Sequence, residues 1–184
     1  MAKKAYVFFA DGFEEVEGLT PVDLLRRAGV EVITVSVMGA KTVCGAHGIP
    51  VVADQLFEQA DFEDADMLIL PGGMPGTLNL QKHTGLENLL KEFYEKEKYM
   101  AAICAAPGVF GALGFLEGRI AGIYPGMEKN LAGARVSYDP VSVDGHVITA
   151  RGVGAAIPFA LELITLLCGE EKSRQIGEAI VYYV

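Results

Sequence analysis

Short, almost wholly apolar runs alternate along this chain with longer stretches in which apolar residues recur every three to four positions. The short runs suit strands buried on both faces and the long stretches suit helices laid across them. Together they predict a mostly parallel central sheet with helices on both faces, an α/β fold. Ala5 to Ala10 is the first such strand. A helix over about Glu14 to Ala28 follows, ending at Gly29 behind Arg26 and Arg27, which suit the negative end of a helix. Glu31 to Met38, rich in β-branched residues, reads as the second strand, and Lys41 to Asp54, with Gly45, Gly48 and Pro50, as a hairpin-like excursion. Asp66 to Leu70 is the third strand. Thr84 and Glu87 stand at capping-box spacing, and Leu86, Leu89, Leu90 and Phe93 recur at helical intervals, predicting an amphipathic helix over 85–97. A strand at Tyr99 to Ile103 runs into a helix starting just after Cys104. Shorter strands are predicted around Arg119 to Ile123, Val141 to Val143 and His146 to Ala150, with closing helices over 155–168 and 170–181.

Composition narrows the class. A length of 184 residues with no repeat, low-complexity tract or linker predicts one domain over 1–184. Apolar residues at 51% and charged residues at 21% argue against disordered or fibrous character. With 15 Lys and Arg against 24 Asp and Glu, the net charge of -9 repels a polyphosphate backbone, which argues against a nucleic-acid partner. No apolar run approaches the roughly 20 residues of a membrane span. Asp11, Glu14 and Glu15 follow the first strand too early for a signal peptide, so a soluble, cytoplasmic protein is expected. Three cysteines, at 44, 104 and 168, with no Cys-x-x-Cys, fit neither a disulfide framework nor a structural zinc cage.

The chemistry gathers at strand ends. Ala101 to Gly108 is a buried strand meeting a helix start, with Cys104 at the junction and only small residues beyond it, the pattern of a nucleophile elbow. Free N–H groups and the positive end of a helix dipole there favour a thiolate and predict a lowered thiol pKa. Met67 to Gly76 ends a second strand in a glycine turn on the same carboxyl edge, where Gly72 or Gly73 can aim N–H groups at an oxyanion or an oxidised sulfur. That turn lacks the Lys-Ser/Thr of a P-loop. Asp11 to Glu17 lies on this edge too, with more acids than capping needs. Glu14 and Glu17 share a helix face, so either of them can turn inward while Glu15 faces solvent. Pro21 cannot donate to the Glu17 carbonyl, which predicts a kink beside an inward acid. A carboxyl buried next to a thiolate keeps its proton and can donate a hydrogen bond to the sulfur.

These motifs resemble the DJ-1/ThiJ/PfpI superfamily, and its DJ-1 branch in particular, over nearly the whole chain. The matching segments are 10–17 (Ala-Asp-Gly-Phe-Glu-Glu-Val-Glu), Pro21-Val22-Asp23 with Arg26 to Gly29, Leu70 to Gly73, Ala102 to Pro107, and Arg151 to Gly154. The resemblance implies a flavodoxin-like sandwich and a homodimer. It makes Cys104 the reactive cysteine and selects Glu17 over Glu14 as the protonated acid, with Gly72, Gly73 and Ala105 stabilising the sulfur. Glu14, Tyr124, Pro125, Arg27 and Gly154 are the expected pocket residues.

Two departures bear on activity. Peptidase-like members place a His directly after the cysteine, where this chain has Ala105, which argues against a protease. Tyr124-Pro125 stands where the DJ-1 branch often has His-Pro. His47, His83 and His146 read as ordinary surface. Cys44-Gly45-Ala46-His47 lacks a second ligand pair, so no metal is assigned and Cys44 reads as a surface thiol near a family dimer interface. Gly152-Val153-Gly154 lacks the third small residue of a dinucleotide fingerprint, so no cofactor is expected. Cys168 reads as core. The leading expectation is stress sensing by a low-pKa Cys104 thiolate, with a small reactive carbonyl or an oxidant as its partner. Cofactor-independent glyoxalase or deglycase chemistry on methylglyoxal or glycated adducts is the alternative, and a chaperone-like or thiazole-metabolism role comes after it.

Overall fold

The computed structural model describes residues 3–182. The strands are β1 (Lys4–Phe9), β2 (Glu31–Ser36), β3 (Thr42–Cys44), β4 (Pro50–Val52), β5 (Gln55–Leu56), β6 (Met67–Leu70), β7 (Tyr99–Ile103), β8 (Ile120–Ala121), β9 (Arg135–Val136), β10 (Val141–Asp144) and β11 (Val147–Ala150). The helices are α1 (Glu15–Arg27), α2 (Gly76–Lys82), α3 (Thr84–Glu95), α4 (Pro107–Ala112), α5 (Ala156–Cys168) and α6 (Glu170–Ala179). The main sheet has the order β10-β11-β7-β6-β1-β2-β5, with every pairing parallel except the β10–β11 hairpin. This is the α/β arrangement expected from the alternation, in the flavodoxin-like form that the family resemblance implies.

β1 explains why both faces must be covered. Its residues, with Ala10 directly after them, alternate sides: Ala5, Val7 and Phe9 join one buried cluster with Leu25 of α1 and Phe159 and Leu163 of α5, while Tyr6, Phe8 and Ala10 join the other with Leu86, Leu90 and Phe93 of α3 and Phe110 of α4. A strand apolar on both sides has no solvent face to offer, and only a helix layer on each side satisfies it. β3 and β4 form a separate hairpin, and β8 pairs with β9 in a small parallel sheet.

Several local expectations are corrected. The 85–97 helix is Thr84–Glu95, and its cap is His83, whose Nδ1 accepts the Leu86 N–H at 3.0 Å. The imidazole does what the Thr84 hydroxyl was expected to do, one residue earlier. α2 went unrecognised because seven residues with few apolar positions carry too little periodicity. Cys168, expected in the core, is exposed: it is the last residue of α5, and Gly169 turns the chain away directly after it. His146 is buried at 9% exposure against Tyr94, with ring centroids 5.2 Å apart, and is not surface. Burial, with Arg119 nearby, holds its pKa below the usual histidine value. α1 runs through Pro21 from Glu15 to Arg27 without a break in helical assignment.

Candidate functional site

The carboxyl ends of β1, β6, β7 and β11 are adjacent in the sheet, so the segments that follow them meet at one edge. Cys104, directly after β7, takes φ 64°, a left-handed conformation that non-glycine side chains rarely adopt. The turn is held on both sides. Its N–H donates to the Ala150 carbonyl of β11 at 2.9 Å, and its carbonyl accepts the Tyr124 N–H at 2.8 Å. The strain points the side chain out of the strand and toward the turn after β6.

Glu17 approaches from the first turns of α1 and has no exposed surface. Its Oε2 accepts the Gly72 N–H at 3.1 Å, and its carboxyl lies beside the Cys104 side chain across Gly72, where the two groups perturb each other's protonation. Its Oε1 has no hydrogen-bond partner among the described residues. The Gly73 and Ala105 backbone N–H groups act on the sulfur in the direction that favours its thiolate. Only glycine fits at 72, since a Cβ there would sit 2.6 Å from the Cys104 Cβ and 2.7 Å from Glu17 Oε2. Gly73, at φ 89°, lies against the backbone of Gly12 and Phe13, and the Glu14 N–H donates to the Gly72 carbonyl at 2.9 Å.

The electrostatics of the pair depart from the lowered thiol pKa expected of the elbow. Burial raises Glu17 from 4.5 to about 7. Burial and then the Glu17 charge push Cys104 up to about 12. Two negative charges in one buried contact are costly, so the pair releases one proton near neutrality and holds the second until strongly alkaline pH. The helix dipole does not overcome this because α4 begins only at Pro107, three residues beyond the sulfur. The Gly73 and Ala105 N–H groups work toward the thiolate but are outweighed by burial and the Glu17 charge.

Cys104 and Glu17 open into a pocket of about 610 Å³, also lined by Glu14, Gly73, Tyr124, Pro125 and Gly154. Arg27 is not there. It lies ten residues beyond Glu17 along α1, about 15 Å at helical rise, and pairs with Asp23 at 3.0 Å. Ala105 reaches the site through its N–H, and its side chain lines a different groove. Glu15 is corrected as well, being 4% exposed rather than solvent-facing. The β3–β4 hairpin folds over it: Glu15 Oε1 accepts the His47 N–H at 2.8 Å, and Oε2 lies 2.8 Å from His47 Nδ1. Glu14 Oε2 is 3.4 Å from the same nitrogen. These three residues could together hold a cation, although each contact is equally that of a histidine paired with carboxylates.

Tyr138, Pro140, Arg151, Gly152, Val153 and Ala155 supply the rest of the wall and were not singled out as site residues. Arg151 follows β11 on the same carboxyl edge, which was the available signal. Its guanidinium lies 5.5 Å from the Tyr138 ring centroid, and Nη1 donates to the Tyr138 carbonyl at 3.1 Å. Nothing in the local sequence marks Tyr138.

A flavodoxin-like sheet with a cysteine held at a strained strand end, against a buried acid and a glycine turn, defines the class. The DJ-1/PfpI family profile matches residues 3–166, and the chain belongs to that family. It is 34% identical to the Parkinson disease protein 7 homolog of Danio rerio, covering 97% of each chain. It is 37% identical to protein DJ-1 homolog B of Arabidopsis thaliana, covering 97% of this chain but only 41% of that longer protein. The chain thus spans less than half of the plant relative. Among solved structures, oxidized Toxoplasma gondii DJ-1 superposes with a TM-score of 0.96 at 34% identity, covering 100% of both chains. Drosophila melanogaster DJ-1beta superposes at 0.94 with 31% identity, again over 100% of both. No helix among the described residues is long and apolar enough to cross a membrane.

Proposed function

We propose that this DJ-1-like protein responds to oxidants through Cys104. The observation that carries the reading is the sulfur's setting: a strained junction, one buried carboxyl and two backbone N–H groups, open to a pocket. A hydroperoxide oxygen is transferred to the Cys104 thiolate, the O–O bond breaks, and water or an alcohol leaves with the hydroperoxide proton, giving a sulfenate. A second equivalent gives a sulfinate. Two N–H donors and a protonated Glu17 match the acceptor oxygens these products gain. The test is site-resolved mass spectrometry after graded hydrogen peroxide. Oxidation at Cys104 ahead of the exposed Cys44 and Cys168 supports the reading, and oxidation of those two first refutes it.

The unpartnered Glu17 Oε1 favours a second reading, turnover of a small 2-oxoaldehyde. The thiolate adds to the aldehyde carbon while Glu17 gives its proton to the carbonyl oxygen. Proton transfer from C1 to C2 then yields a 2-hydroxy thioester, which water cleaves to a hydroxy acid and the free thiol, with no net redox change. Lactate formed from methylglyoxal, and lost in Cys104→Ser, supports this; no turnover above buffer refutes it. We also assign a homodimer interface to the face of α1 and the hairpin, where Val16, Leu19, Ile49 and Val52 are 47%, 38%, 52% and 69% exposed. Sedimentation equilibrium of Val16→Arg against the parent chain tests it, with loss of dimer expected.

A further inference from the structure

We propose that Arg151 and Tyr138 make the Cys104 pocket selective for an organic hydroperoxide that carries a carboxylate, over hydrogen peroxide. The inference rests on the oxidant reading of Cys104 and names the chemical class of the oxidant.

Hydrogen peroxide, about two water volumes, fills roughly a tenth of the 610 Å³ that opens over the sulfur. The remainder is room for an organic body. Tyr124, Tyr138 and Val153 line that space yet are 50%, 68% and 46% exposed, so the mouth of the pocket carries three large apolar side chains that no described residue covers. Two of them are aromatic, and their rings offer faces on which a flat apolar body stacks.

Arg151 is the one cation among the described residues that line this pocket. It follows Ala150, whose carbonyl accepts the Cys104 N–H at 2.9 Å, so its backbone stands beside that of the cysteine. The side chain is pinned. Its Nη1 donates to the Tyr138 carbonyl at 3.1 Å, and the guanidinium lies 5.5 Å from the Tyr138 ring centroid. The chain has 24 Asp and Glu against 15 Lys and Arg, yet no acid among the described residues lies within ion-pair distance of Arg151. Glu128 feels its charge from outside the pocket lining, and Glu14, within the lining, has its Oε2 3.4 Å from His47 Nδ1. The Nε and Nη2 edge is left free, and that edge is the fork that takes a carboxylate through two parallel hydrogen bonds. In the reaction the terminal hydroperoxide oxygen bonds to sulfur as the O–O bond breaks, and its proton leaves with the other oxygen as an alcohol.

The probes are hydrogen peroxide, cumene hydroperoxide and its 4-carboxy derivative, each applied to the full chain and to free cysteine, with Cys104 oxidation followed by peptide mass spectrometry. Relative to free cysteine, Cys104 should favour cumene hydroperoxide over hydrogen peroxide by at least about three-fold, and the 4-carboxy compound over cumene hydroperoxide by about two- to five-fold. Arg151→Met should remove the second factor and Arg151→Lys should keep part of it, while Tyr138→Ser should lower the first. Each comparison is a ratio within one protein, so a loss of folded material cancels. Ratios equal to those of free cysteine would overturn this selectivity and leave the oxidant reading standing. A 4-carboxy preference unchanged in Arg151→Met would overturn the role of Arg151, and no oxidation of Cys104 by any of the three would overturn the oxidant reading itself.

Discussion

Replacing Glu17 by Gln should remove a pH dependence of stability that this one buried acid imposes. Glu17 is fully buried, and its pKa rises from 4.5 to about 7, a displacement of 2.5 pH units. At about 1.4 kcal/mol per pH unit this amounts to about 3 kcal/mol. Between those pH values the folded chain keeps a proton that the unfolded chain has released, so stability falls as pH rises from 4.5 to 7 and then levels off. The amide of the variant has nothing to titrate. Asp54, Asp66 and Glu15, whose pKa values are lowered in the fold, are common to both proteins and cancel in the difference. Urea unfolding at pH 4.5, 6 and 7.5 should show the Gln variant gaining about 3 kcal/mol relative to the parent from the lowest pH to the highest. The same substitution should shift the pH profile of Cys104 alkylation, because the carboxyl that shares the pair's protons is gone. Parallel stability curves, or an unchanged alkylation profile, would refute the coupled-pair account.

Other perturbations test neighbouring parts. Gly72→Ala forces a methyl against Cys104 and Glu17 and should cost about 1–3 kcal/mol, seen as a melting point lower by roughly 3–10 °C, with slower Cys104 alkylation. The His47 pKa is raised chiefly by its hydrogen bond to Glu15, so Glu15→Gln should bring its NMR titration midpoint back toward 6.5, and an unchanged midpoint would contradict the contact. Arg27→Gln should leave the Cys104 alkylation profile unaltered, since Arg27 lies outside the pocket. Phe159→Ala, which opens a hole under the sheet, should lower stability by about 3–5 kcal/mol in denaturant titration.

The fold class could be read from the chain because a strand buried on both faces must be apolar at every position, as in Ala5 to Ala10, while a helix covering it needs only one apolar stripe, as in Leu86 to Phe93. Glycines at 72 and 73 and a cysteine between a strand and small residues likewise leave a local mark. Short or weakly periodic elements do not, which is why α2 and β5 escaped notice.

Tertiary structure decided the rest. Nothing in the acidic run says that Glu15 is enclosed by a hairpin thirty residues away while Glu17 reaches the sulfur. Arg151 and Tyr138 join the pocket only because β11 lies beside β7. Most of all, a thiol at a strand-to-helix junction looks activated when only its neighbours in the chain are considered. Its proton affinity is set by burial and by a carboxylate from another element, and both depend on distances in space that no local pattern encodes.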